Sequence, residues 1–316
     1  MKFSGHESFA CRYAWLPKAY RELATDPTIL SQEDQAMVAL GVGKNMVRSI
    51  RFWVEVSGLA TPAGRALELT SFAHAVFGPD GFDPYLEDRR TIWLLHWKIS
   101  SYADDPVFAW RHMLNHWPQP EFTRTEVVAE FLRESERQGL RHSEATLAQH
   151  FDVFLHTYIR TRGSTGGEDS LDGPLVELEL IQHVGDRKVG ESARREPVYA
   201  FRREPKPDFT SELFAFCIWD YWTQWHPGEA TLPYRDIALN AHTVGQIMKL
   251  PEEDVRARLE AISLPSSAPF RYQPSAVEGT LHKTGELGEE VLLEAVYVPA
   301  PATLNFPLPF KPEAAE

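Results

Sequence analysis

The chain has 316 residues, 43% of them hydrophobic and 12% aromatic, enough for a packed core and for two or three compact units. Its two cysteines, Cys11 and Cys217, are too few for a disulfide framework or a four-cysteine zinc site, and its best apolar run, Leu213 to Trp219, is too short to span a bilayer. Asp and Glu number 45 against 32 Lys and Arg; the net charge of −13 repels polyanions at a distance, so any nucleic-acid contact must come from a local basic face.

In chain order, Met1 to Ala10 carries His6 and Glu7 where an export signal would be apolar, which predicts a cytoplasmic protein. Gln32 to Leu40 has the spacing of a short helix that Gly41 ends. After Gly43, the positions of Met46, Val47, Ile50 and Val54 predict a second helix with Gly58 just beyond it. Two helices joined by a tight glycine turn form a helix-turn-helix, and Leu59 to Thr70, with a turn signal at Thr61-Pro-Ala-Gly64, supplies a small hairpin wing. Thr91 to Ile99 is almost continuously apolar and aromatic, a buried helix.

Two further helices are predicted over Thr125 to Gln138 and Ser143 to Ile159, split at Gly139, with Ser143 as the cap of the second. Gly163 to Gly167 reads as a flexible loop, Leu175 to Ile181 as a short apolar element, Asp186 to Pro197 as an exposed charged stretch and Val198 to Phe201 as a brief strand. Pro205 and Pro207 mark a boundary. Beyond it, helices are expected over Phe209 to Trp222, Tyr234 to Asn240 and Pro251 to Ile262, with an irregular proline-rich tail from Pro299 and no internal repeat.

The predicted fold is therefore mainly α (α+β). It comprises a winged helix-turn-helix with a small β wing in residues 1–100, a central helical region in 101–204, and a helical or winged-helix-like unit in 205–316.

Within the second helix, Lys44, Arg48 and Arg51 follow spacings of four and three and share one side, with Asn45 beside them and Arg65 on the wing. Such a stripe suits a major groove, Asn45 pairing with adenine and the arginines with guanine or phosphate. It equally suits a solvated helix face. Acidic residues gather at Asp80, Asp83, Glu87 and Asp88, where oxygen ligands for a magnesium or manganese ion would assist phosphodiester cleavage; a turn leading into an acidic helix start explains the same residues. Glu168, Asp169 and Asp172 form a second, weaker group. Gly5-His-Glu-Ser-Phe9, with Arg12 and Lys18, combines acid, imidazole and cations, giving Glu7 as another carboxylate candidate or ordinary ion pairs that tie the start of the chain to the core. His150 and His156 lie six apart, unlike a helical zinc pair, and no Walker loop, dinucleotide fingerprint or esterase elbow is present.

Together, Gly5-His-Glu-Ser-Phe9, Trp15-Leu-Pro-Lys18, Leu40-Gly-Val-Gly-Lys-Asn-Met-Val47, Asp80 to Asp88 running into Thr91-Ile-Trp-Leu-Leu-His-Trp97, and Glu168-Asp-Ser-Leu-Asp172 with Pro174-Leu-Val-Glu177 resemble the SspB type of bacterial DNA phosphorothioation systems. The resemblance covers most of the chain, more loosely from Phe214 onward. It implies a role in nicking DNA so that sulfur can replace a non-bridging phosphate oxygen, as part of a phage defence. It also implies work beside a cysteine desulfurase, a sulfur-transfer enzyme and an ATPase, and it leaves a homodimer open. Gly173 stands where relatives are expected to carry cysteine, so a thiol there cannot be essential in this chain. The rival expectation is a non-enzymatic subunit that binds DNA and recruits the sulfur-transfer machinery.

Overall fold

A computed structural model describes residues 1–103, 105–160, 173–188, 195–264, 268–275, 277–285 and 288–298. The predicted loop at Gly163 to Gly167, the acidic group at Glu168, Asp169 and Asp172, and the tail from Pro299 lie outside the described residues. The fold mixes helices with small antiparallel sheets. Among the described residues no helix is long and apolar enough to cross a membrane.

The first part of the chain forms α1 (Trp15–Thr25), α2 (Glu33–Leu40), α3 (Lys44–Val56) and a hairpin of β1 (Ala60–Ala63) and β2 (Ala66–Leu69). Gly41, in the left-handed region at φ 68°, closes α2, and Val47, Ile50, Trp53 and Val54 bury one face of α3. The hairpin turn falls at Gly64 and Arg65; Thr61 to Ala63, predicted as the turn, are in β1. The Leu67 N–H also donates to the Pro27 carbonyl at 2.8 Å, so the segment before α2 contacts the hairpin's second strand.

Then come α4 (Ser71–Phe77), α5 (Arg89–Ser101) and α6 (Phe108–Asn115), followed by β3 (Glu121–Phe122), α7 (Arg124–Arg137), α8 (Glu144–Tyr158), β4 (Ile181–Lys188) and β5 (Arg195–Phe201). The side chains of Thr123 and Ser143 accept backbone N–H groups at the starts of α7 and α8, which accounts for both boundaries. The described ends of the stretch predicted as exposed and charged, 186–188 and 195–197, are largely exposed, and they also pair with each other in β4 and β5, in a sheet ordered β3-β5-β4. Strand β4 escapes a hydrophobic reading because it is an edge with a largely exposed face, where Gln182, His183 and Lys188 replace apolar alternation.

The last part forms α9 (Ser211–Trp225), β6 (Thr231–Pro233), the short helices α10 (Arg235–Ala238) and α11 (Val244–Ile247), α12 (Glu252–Ser263), β7 (Phe270–Gln273), β8 (Thr280–Lys283) and α13 (Glu289–Tyr297). Its sheet is ordered β6-β8-β7. The succession helix, strand, helices, two strands, with the first strand paired to the third, thus occurs twice. The first part has the same order with the Pro27 contact in place of the first strand. The sequence, which shows no repeat, conceals this because only backbone order recurs.

Buried apolar side chains form one continuous core through all three parts, with α5 packed against α6, α9 and α11. On α5, the indole of Trp93 donates to Asp208 (3.0 Å) and that of Trp97 to Asp220 (2.7 Å). His96, fully buried, donates from Nε2 to the Ile247 carbonyl and accepts at Nδ1 from the Tyr158 hydroxyl, which accepts from the Trp110 indole. Burial lowers the His96 pKa to about 4. Below the unfolded value near 6.5 the unfolded chain takes up a proton that the folded one refuses, so stability falls as pH falls from 6.5 toward 4. His96 alone should remove about 2 kcal/mol between pH 7 and pH 5. Urea midpoints at the two pH values test this; a drop that is equally large in His96→Gln would assign the loss to other groups.

Candidate nucleic-acid interface

Helix α3 begins at Lys44 because Gly43 supplies an extended entry, and its buried stripe leaves Lys44, Asn45 and Arg48 exposed and Arg51 half-exposed. The expected stripe exists, but its cations are engaged. Glu33 on α2 binds both Lys44 (2.6 Å) and Arg48 (2.7 Å); Arg51 meets Glu55 (3.1 Å) one turn on and the Ser31 hydroxyl (2.8 Å). Lys2 reaches Glu55 from the start of the chain at 3.2 Å. Hydrogen bonds from Lys44 and then Arg48 lower the Glu33 pKa, and Glu33, with Glu7 farther off, raises that of Arg48. Sequence spacing could not reveal this neutralisation because Glu33 lies on another helix. Arg65 is exposed at the hairpin tip, where its carbonyl accepts from Ser31.

An open groove of about 560 Å³ runs beside α3, and Lys2, Glu7, Glu33, Arg48, Arg51 and Glu55 line it. It brings Glu7 together with two cations of the stripe, residues more than forty positions apart in sequence. Glu7 is half-buried, with its backbone in the left-handed region at φ 52°. Gly5, at φ 111°, explains the glycine two residues earlier: a Cβ there would lie 2.8 Å from the Phe52 ring.

The Asp80 to Asp88 segment is placed elsewhere. Asp83 is buried and its carboxylate accepts the N–H groups of Glu87 (2.8 Å) and Asp88 (3.1 Å). Asp88 caps α5 through the Arg90 N–H (2.8 Å) and holds the Arg90 guanidinium at 2.6 Å. These two carboxylates therefore do the structural work of a turn and a helix start. Glu87 is exposed, and Asp80 is exposed on a different groove that Glu290 and Glu294 also line. Among the described residues no group of three or more His, Cys, Asp or Glu is arranged to hold a metal ion. Magnesium, however, is commonly held by one or two carboxylates with waters and substrate phosphates, and Glu7 beside Arg48 and Arg51 fits that mode.

Gly173 packs against the backbone of Cys11: a Cβ would meet the Cys11 carbonyl oxygen at 2.5 Å. In this chain a cysteine at 173 would need the backbone to move.

Residues 3–297 match the family described as Protein of unknown function (DUF4007), and the chain belongs to that family. No protein of curated function matches it. Among solved structures it is similar to a magnesium ion-bound SspB crystal structure, with 26% identity and a TM-score of 0.81, over 94% of this chain and 88% of that one. A second SspB crystal structure matches at 26% identity and a TM-score of 0.80, over the same shares. The SspB resemblance carried by the sequence motifs thus extends to the fold of nearly the whole chain.

Proposed function

We propose that this protein is the DNA-binding component of a DNA phosphorothioation system and that it nicks DNA with the help of magnesium or manganese. The observation that carries the reading is the groove in which the Glu7 carboxylate shares one opening with Arg48 and Arg51 of α3. In this reading α2, α3 and the β1-β2 hairpin are a winged helix-turn-helix, and the two later sheets, with first strand beside third, are winged-helix-like units. Arg48, Arg51 and Lys44 exchange their carboxylate partners for backbone phosphates, Asn45 faces a base edge, and Arg65 on the wing meets a neighbouring phosphate. Glu7 is the carboxylate that would hold the ion; when bound, the ion supplies neutralisation of charge on the phosphate. Glu33 and Glu55, already paired with cations, keep the groove polar and orient those cations. The SspB likeness supports partners of the same system: a cysteine desulfurase, a sulfur-transfer enzyme and an ATPase.

A second reading, a targeting subunit that binds DNA and recruits the sulfur-transfer machinery without cutting, is favoured by one observation. Asp83 and Asp88 are committed to structural hydrogen bonds, leaving no ready-made cluster of metal ligands among the described residues. Supercoiled plasmid incubated with the protein and magnesium, manganese or chelator separates the two. Nicking expects metal-dependent open circles that Glu7→Gln abolishes while DNA binding persists. Binding without open circles under any metal would overturn the nickase and leave the recruiting role.

A further inference from the structure

The segment that carries Glu7 is threaded between α3 and α8. The Trp53 indole donates to the Phe9 carbonyl at 3.1 Å on one side, and the His6 ring stands edge-on to Phe52. On the other side, His6 and His150 form a buried pair whose rings lie within 15° of parallel with centroids 4.9 Å apart, the separation of two rings joined edge to edge through facing nitrogens. The end groups of this pair fix its hydrogens. The Ala109 N–H donates to Nε2 of His150 (3.0 Å), so that nitrogen carries no proton and the ring's hydrogen sits on Nδ1. That hydrogen goes to Nε2 of His6 (2.6 Å), leaving the His6 hydrogen on Nδ1, where it donates to the Glu7 carbonyl (2.8 Å). Gln149 donates a second hydrogen bond to the same carbonyl at 2.9 Å.

We propose that His6 and His150 are positioning residues for Glu7, an inference that rests on the nicking role given to Glu7 above. A non-glycine residue in the left-handed region is strained and persists only where its surroundings over-determine it. Here the polarised chain Ala109 to His150 to His6 to Glu7, with Gln149 beside it, supplies that determination. Helix α8, from the middle of the sequence, thereby sets the backbone of a residue whose side chain lines the groove along α3.

The test uses two amides that each replace half of the His150 ring. In His150→Asn the side-chain NH₂ takes the place of Nδ1 and keeps the hydrogen bond to His6; in His150→Gln the side-chain oxygen takes the place of Nε2 and keeps only the bond from Ala109. Positioning expects His150→Gln to lose about 100-fold in nicking rate at saturating DNA with unchanged affinity, and His150→Asn to retain most of it at comparable thermal stability. It also expects nitrogen-15 spectra at pH 7 to show both rings as Nδ1–H tautomers, and the Glu7 amide to shift in His150→Gln but not in His150→Asn. Nicking that follows thermal stability in both variants, an Nε2–H tautomer on either ring, or an unmoved Glu7 amide would each overturn it. If Glu7→Gln nicks like the wild type, the catalytic reading of the groove fails, and the spectra decide the positioning on their own.

Discussion

Replacing Asp220 with alanine should lower the free energy of unfolding by about 3–5 kcal/mol, the loss expected when one member of a buried ion pair is removed. Asp220 accepts three hydrogen bonds at once: from the Trp97 indole (2.7 Å), from the Lys98 ammonium (2.9 Å) and from the Gln224 amide (2.8 Å). Burial works against the Lys98 charge, but Asp220 and then Glu289 outweigh it, so the lysine pKa stands above its ordinary value. Without Asp220 the ammonium keeps, among the described residues, Glu289 at 3.4 Å as its carboxylate partner and the faces of Phe72 and Phe216, and the indole N–H loses its acceptor. Removing both charges together, in Lys98→Met with Asp220→Leu, should cost much less, because no charge is then left stranded. Urea unfolding of the three proteins decides it; a loss below about 1 kcal/mol in the alanine variant would mean that water reaches Lys98 and the pair is not buried in solution.

The second prediction concerns α3 and has two opposite signs. Arg48→Glu should weaken DNA binding by about 10- to 100-fold at low salt and flatten the salt dependence by roughly one unit of slope, since a phosphate contact is lost and a repulsion added. Glu33→Gln should do the reverse, tightening binding by about tenfold, because Lys44 and Arg48 then no longer have to leave a carboxylate before they can meet phosphate. Fluorescence anisotropy with a short duplex over a salt series reads both. If neither variant changes affinity, DNA is met elsewhere on the molecule and α3 is a solvated helix face. The effect should shrink as salt rises and the local cations are screened.

What could be read from the sequence was local. The 3.6-residue spacing of Met46, Val47, Ile50 and Val54 gave α3 its extent, the glycines at 41, 58 and 139 marked helix ends, and Ser143 announced the start of α8. Helix α5 was legible because an apolar run so dense in tryptophan has nowhere to go but the core. Pairing across distance was not legible. Strands β7 and β8 are four residues each, and β7's alternation of Phe270 and Tyr272 with Arg271 and Gln273 is too short to stand out; α13 was not foreseen at all, although Leu292, Leu293 and Val296 give it a buried stripe. For the site, Glu7 and the α3 cations are each visible as residue types, and Arg51 and Glu55 stand one helical turn apart, but the meeting of Glu7 with those cations in one groove, and the engagement of Lys44 and Arg48 by Glu33, depend on how α2, α3 and the start of the chain pack. The acidic run at Asp80 to Asp88 attracted attention for its charge, and two of its carboxylates turn out to satisfy backbone N–H groups.

The Arg90 guanidinium joins Asp88 to the Val296 and Tyr297 carbonyls at the end of α13, groups 206 and 207 residues away along the chain. Tyr297 also stacks on Phe82 at 4.7 Å and shares a hydrogen bond with Thr91. During synthesis the ribosome therefore releases α5 and the loop before it long before their covering helix exists. The first hundred residues cannot reach their final packing as they emerge: Trp93 and Trp97 of α5 wait for Asp208 and for Asp220 of α9, and Phe82 and Arg90 wait for the end of α13, a period in which the nascent protein is most open to aggregation and to chaperone capture.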